Sequence, residues 1–141
     1  MSIDIINEKE LLEQYAQESK SSLVPSHEPS VELYDILEKK DILKCFGVYD
    51  NKQMVGFVTV TLSPMPHYSE MCATIESLFV SKEHRKFGTA KRLLSIAEQE
   101  AKDNECVAMF MSAPIGSRLE LATKGLGFTP THITYTKKIE C

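Results

Sequence analysis

The sequence predicts one α/β domain, a mixed sheet with helices on its faces. Three observations carry that expectation. Strand-like and helix-like patterns follow one another in the order β-α-α-β-β-β-α-β-α-β, which suits a layered sheet. The stretch from Thr74 to Ala101, TIESLFVSKEHRKFGTAKRLLSIAEQEA, reads as a buried strand, a short basic loop with one glycine, and an amphipathic helix. The chain has 141 residues, 43% hydrophobic and 26% charged, which is the size and composition of a single domain (1–141) with one real core.

The elements follow in order. Ser2 to Ile6 alternates polar and apolar and suits a short first strand. Asn7, with Glu10 three residues on, has the form of a capping box, and Leu11, Leu12, Tyr15 and Ala16 give the helix behind it an apolar stripe ending near Ser19. Lys20 to Ser30, with two prolines and four serines, is a loop. Ser30 caps a second helix in which Leu33, Ile36 and Leu37 share a face, closed by Asp41 to Leu43. Cys45 to Tyr49 and Met54 to Leu62 form a hairpin around Asp50-Asn51-Lys52, with Val58, Val60 and Leu62 on one face and Thr59 and Thr61 on the other. A turn from Ser63 to Glu70 leads into a central strand, Cys72 to Val80. Cys106 to Met111 is an apolar run of buried-strand type, Ser117 caps a short helix reaching Lys124, and Gly125 and Gly127 end it. Thr131 to Ile139 is the last strand, with Ile133, Tyr135 and Ile139 on one face.

The bulk numbers narrow the function. A net charge of −4 argues against a nucleic-acid binder working through overall charge. Cys45, Cys72, Cys106 and Cys141 have no C-x-x-C spacing and lie mostly in apolar runs, so they read as reduced core thiols in a cytoplasmic protein rather than disulfides or a metal site. His27, His67, His84 and His132 show no metal-ligand spacing either, and no metal is expected. The N-terminal MSIDIINEKE has no apolar segment of signal-peptide type, and no apolar run approaches membrane-spanning length.

The chemistry lies in the loop between the central strand and the long helix. Arg85-Lys86-Phe87-Gly88-Thr89-Ala90 opens a helix whose first turn has backbone N–H groups without intrahelical partners, reinforced by the helix dipole. A pyrophosphate fits such a place. Gly88 lets the backbone approach it, and Lys82, Arg85, Lys86, Lys91 and Arg92 gather positive charge in an acidic chain. The helix stripe Ala90, Leu93, Leu94, Ala97 and Ala101 faces the core. The string R-x-x-G-x-A alone is a weak signal. The strand before it and the helix after it give it weight, and it is neither a P-loop nor a G-x-G-x-x-G turn.

The strand ending Leu78-Phe79-Val80, followed by R-x-x-G-x-A and Leu93-Leu94, resembles the acyl-CoA-binding motif of the GCN5-related N-acetyltransferases, the GNAT superfamily. Gly127-Phe128 after a short helix resembles that family's second signature, and the element order matches over nearly the whole chain, most strongly from Ile75 to Phe128. The Ser112-Ala113-Pro114 junction and Leu119-Glu120 look like small phage-encoded members. The resemblance implies a sheet of six to seven strands flanked by four helices, acetyl-CoA as co-substrate, and an amine acceptor, either a small molecule or a peptide or protein amine. The sequence leaves both a monomer and a homodimer open, an exposed final strand permitting the second. It implies that the backbone of Leu78, Phe79 and Val80 pairs with the pantetheine amides, as an added strand would. It also implies that the N–H groups from Arg85 to Ala90 hold the pyrophosphate.

In this setting Glu76, a carboxylate inside an otherwise apolar strand, is the candidate general base; the plainer alternative is a rim glutamate paired with a cation. Many family members carry a tyrosine acid four residues before the G-F glycine, and here that position is Thr123. Tyr135 is the candidate replacement, with core packing as its alternative. His27 and Glu28 fall in the loop that lines the acceptor site in this family. The sequence thus supports an N-acetyltransferase, with a catalytically weakened acyl-CoA-binding module as the second reading. A small nucleic-acid-binding domain using Lys82 to Arg92 is a third, opposed by net acidity and by the lack of interleaved aromatics.

Overall fold

A computed structural model of the chain describes residues 9–18, 31–85 and 88–140. The expected strand from Ser2 to Ile6, the caps at Asn7 and Ser30, and the loop with His27 and Glu28 lie outside these residues. Helix α1 (Lys9–Glu18) and helix α2 (Val31–Lys39) precede the strands β1 (Leu43–Asp50), β2 (Gln53–Met65) and β3 (Glu70–Val80). Helix α3 (Thr89–Asp103), strand β4 (Ala108–Met111) and the short helix α4 (Arg118–Ala122), extended by a 3-10 turn over Thr123–Leu126, complete the order. Among the described residues the four strands make one sheet in the order β1-β2-β3-β4. The first three are antiparallel, and β4 runs parallel to β3. Also among the described residues, no helix is long and apolar enough to cross a membrane.

Local chemistry explains the turns. Asp50 pairs with Gln53, and Asn51 and Lys52 between them both take positive φ, 50° and 68°, as a two-residue hairpin turn with matching twist requires. The next connection is tighter than the sequence predicts, because the ladder continues through Ser63↔Cys72, Pro64↔Met71 and Met65↔Glu70. Pro64 is tolerated there because β1 reaches only Thr61, so its missing N–H faces no neighbouring strand.

The sheet buries a different cluster on each face. On one side α3 lays Leu93, Leu94, Ala97 and Ala101 against Val58, Val60, Leu62, Ala73 and Ile75, the stripe that the sequence predicts. The approach is close at Gly56, where a Cβ would stand 3.1 Å from the Phe79 carbonyl and 3.3 Å from Leu93 Cδ1. On the other side Leu11 of α1 joins Leu43, Cys45, Met54, Phe57 and Phe79, with Tyr15, Tyr34 and Leu37 packed against them. Helix α2 therefore presents Tyr34 and Leu37 to the sheet. The expected face of Leu33, Ile36 and Leu37 is rotated by one position, leaving Leu33 and Ile36 about half exposed. The bulky ring at Tyr34, with Leu37 one turn on, seats the helix. Cys45 and Cys72 are buried, Cys106 is half-buried, and all three are free thiols.

The C-terminal third departs from the sequence reading. The expected strand from Thr131 to Ile139 does not form. Residues 129–140 carry no helix or strand and are exposed throughout, with Ile133, Tyr135 and Ile139 on the surface. Alternation supplies a strand with a face, but a strand exists only where a neighbour completes its ladder, and residues 129–140 pair with no strand among the described residues. For the same reason the apolar run from Cys106 is trimmed to a half-buried edge strand.

Candidate active site

The site begins as a defect in the β2–β3 ladder. Thr59 faces Ser77 and Val60 faces Ile75, so Glu76 has no partner on β2. An extra residue of this kind bulges a strand and re-aims its side chain. Ile75 points into the α3-side core, whereas Glu76 and Ser77 both reach partners on the α2 side. The pairing of β3 with β4 ends one residue earlier, at Ile75↔Met111. Glu76 therefore stands at the fork where the two parallel strands part, an exposed carboxylate among buried neighbours.

Two hydroxyls hold it and a third backs one of them. Tyr34 on α2 donates through its Oη to Glu76 Oε1 at 3.0 Å and Oε2 at 2.9 Å. Thr59 on β2 donates to Oε2 at 2.5 Å, and Thr59 and Ser77 hydrogen-bond each other. Burial, and after it the negative charge of Glu76, push the Tyr34 phenol well above its ordinary range. Burial also pushes up the nearby Cys45 thiol, helped by a hydrogen bond to Glu38, so Cys45 is a poor nucleophile.

Beyond the fork the other edge of β3, from Glu76 to Val80, has no strand beside it among the described residues. Leu78 is half-buried, Phe79 and Val80 are buried, and on the inner edge all three pair with Val58, Phe57 and Gly56 of β2. This open edge leads directly to the start of α3. There Arg85 donates from Nε to the Val80 carbonyl at 2.8 Å and lies 5.3 Å over the Phe79 ring. Thr89 is buried and anchors the loop through its hydroxyl to the His84 carbonyl at 3.1 Å. His84 bridges Ser81 Oγ at 2.8 Å and Asp50 Oδ2 at 3.2 Å, tying the loop to the β1–β2 turn.

Gly88 takes φ 70° and ψ 18° at the N-cap of α3 and makes no side-chain cap. A Cβ there would meet nothing within 4 Å, so glycine answers a backbone conformation that other residues resist, and the space above it is open to a ligand. Ala90 follows in the first turn. Lys86 and Phe87 lie outside the described residues. An anion fits this helix start, and an extended amide chain fits the open edge of β3.

Other expected residues are not brought to the fork. Tyr135 lies on the strandless segment and is 86% exposed; its candidacy rested on the missing strand. Thr123 donates its hydroxyl to the Glu120 carbonyl at 2.7 Å and is committed to its own helix. Ser117 does cap α4 as expected, accepting from the Glu120 N–H at 3.2 Å. His67 packs edge-on to Tyr68, and among the described residues no three acidic, His or Cys side chains gather as metal ligands. The residues that the sequence reading missed are Tyr34 and Ser77. For Thr59 the sequence gives a face, opposite Val58 and Val60, but no role.

The family described as Acetyltransferase (GNAT) family matches residues 9–128. No curated protein matches the chain. Among solved structures, ribosomal-protein-alanine N-acetyltransferase from Brucella melitensis biovar Abortus 2308 is 19% identical, with a TM-score of 0.74 over 99% of this chain and 98% of that one. Glucosamine-6-phosphate N-acetyltransferase from Arabidopsis thaliana is 13% identical, with a TM-score of 0.75 over 99% and 97%. An aminoglycoside acetyltransferase from an uncultured soil metagenomic sample is 19% identical, with a TM-score of 0.72 over 95% and 88%. At these identities the likeness is one of fold.

Proposed function

We propose a direct acyl transfer for this chain, which belongs to the GNAT acetyltransferase family: an acetyl group passes from acetyl-CoA to a primary amine, with Glu76 as general base. The observation that carries the reading is the fork in β3. It places a bulged carboxylate at the head of an open strand edge that ends on the N-terminus of a 15-residue helix.

Each part has a role in this reading. The backbone of Leu78, Phe79 and Val80 holds the pantetheine amides. The N–H groups from Arg85 to Ala90 hold the pyrophosphate, Gly88 giving it room. The thioester then lies beside the fork. An alkylammonium with a pKa near 10.4 costs about 4–5 kcal/mol to deprotonate at pH 7, which is the step Glu76 assists. Glu76 takes one proton from the ammonium, and the amine nitrogen bonds to the acetyl carbonyl carbon. The carbon–sulfur bond breaks, and the second nitrogen proton is lost as the thiolate leaves.

The thiolate is protonated from water in this scheme, since Thr123 is engaged with Glu120 and Tyr135 is solvated. A thiolate is a stable leaving group, with a thiol pKa of about 8.5, so the lack of a protein acid lowers the rate without blocking the route. A catalytically weakened acyl-CoA-binding module remains the competing reading, and the same engaged Thr123 and solvated Tyr135 favour it.

Cofactor binding is measured by calorimetry with acetyl-CoA and turnover by release of free CoA across a panel of primary amines. Saturable binding with turnover of one amine supports the transferase. Binding with no turnover supports the module, and no binding of any CoA compound removes both.

A further inference from the structure

Glu76 sits on a solvent-exposed bulge, where an unsupported glutamate samples several rotamers. Here it does not. Both carboxylate oxygens accept from Tyr34, a residue 42 positions away on another layer, and Oε2 also accepts from Thr59. Thr59 has one hydroxyl proton, and because it goes to Glu76, Ser77 is the donor in the Thr59–Ser77 bond. Ser77, Thr59 and Glu76 thus form a directed chain of donors, each bond polarising the next. Tyr34, donating from α2, completes the arrangement.

We propose that Tyr34 is a positioning residue for the base. Its hydroxyl, backed by Thr59, locks the Glu76 carboxylate at the fork with Oε1 as the oxygen that takes the proton. This rests on the reading of Glu76 as base and names the residue that makes it effective. Thr59 donates to Oε2, and the single hydroxyl proton of Tyr34 is shared between the two oxygens, so among the described residues Oε1 is the less engaged oxygen. Tyr34 itself does not deliver a proton. Burial and the neighbouring carboxylate keep its phenol protonated throughout the working range, which suits a fixed donor and not an acid for the leaving thiolate. Its ring is anchored in the cluster of Leu43, Phe57 and Phe79, so the position of the hydroxyl follows from core packing.

The test compares Tyr34→Phe, Thr59→Val, Glu76→Gln and the Tyr34→Phe/Glu76→Gln double variant in the full chain. Tyr34→Phe keeps the ring in its packing. It should lower kcat by about 10- to 100-fold, the scale of a misplaced catalytic group. Acetyl-CoA affinity should stay within about twofold, so that the loss falls on kcat and not on cofactor binding. Thr59→Val should act in the same direction. The double variant should be no slower than Glu76→Gln alone, because both act through one group. If Glu76→Gln is slow while Tyr34→Phe keeps wild-type kcat, the positioning role falls and the base stands. If Glu76→Gln keeps wild-type turnover, the base reading falls and this inference with it.

An arm that needs no acceptor follows the ring-carbon resonance of Tyr34 by NMR in tyrosine-labelled protein. In Glu76→Gln that resonance should shift at neutral pH, since the carboxylate that accepts the Tyr34 hydroxyl is gone. An unchanged resonance would overturn the pairing.

Discussion

The two ends of one strand solve different problems with different materials. At the Val80 end of β3, the candidate donor site is made of backbone: an open strand edge, a glycine at positive φ, and the first turn of α3. At the Glu76 end, the candidate base is made of side chains collected from three elements, with Tyr34 and Thr59 lying 42 and 17 residues away in sequence. A backbone-built site needs a local run of permissive residues, and that run is visible as a motif. A side-chain-built site needs only that distant residues meet, and no local pattern records the meeting.

The largest expected effect breaks the donor end. Gly88→Glu puts a non-glycine residue at φ 70° and a negative charge at the helix N-terminus, where the dipole and the orphan N–H groups attract anions. Acetyl-CoA binding by calorimetry should be lost, while the thermal melt shifts by only a few degrees, the scale of about 1 kcal/mol in a domain of this size. Binding at wild-type affinity would mean that the cofactor lies elsewhere.

A smaller effect tests the platform that both ends share. Leu93→Ala removes a fully buried side chain packed between α3 and the sheet and should cost about 2–5 kcal/mol in denaturant unfolding. Below the transition, acetyl-CoA affinity should persist, because the donor site is set by local backbone.

The smallest effect sharpens the base end. The raised Tyr34 phenol favours the folded state fully below its ordinary value near 10, and that contribution is lost as pH rises past 10 toward the higher folded value. Stability should therefore fall from about pH 10 upward, and more steeply in the wild type than in Tyr34→Phe. Equal slopes would place the Tyr34 hydroxyl outside the folded network.

This contrast explains what the sequence made legible. The stripe of α3, the Asn51-Lys52 turn, the R-x-x-G-x-A loop and the Ser117 cap are local, and each follows from periodicity, turn chemistry or capping. The candidacy of Glu76 was legible because a carboxylate in an apolar strand is conspicuous. The bulge that re-aims it was not, because one extra residue in a ladder leaves no pattern. Tyr34 was hidden by a one-position rotation of α2, whose apolar residues fit two neighbouring faces equally well. The strand expected from Thr131 to Ile139 failed for the opposite reason. Its alternation is a local property, whereas joining a sheet edge is a tertiary one that alternation does not record.

Steady-state turnover and acetyl-CoA calorimetry on Glu76→Gln test the central claim most directly. The account predicts that kcat falls by about 10²- to 10⁴-fold, the usual worth of a general base, while acetyl-CoA binds as in the wild type. Undiminished turnover, or a loss confined to acetyl-CoA affinity, would contradict it.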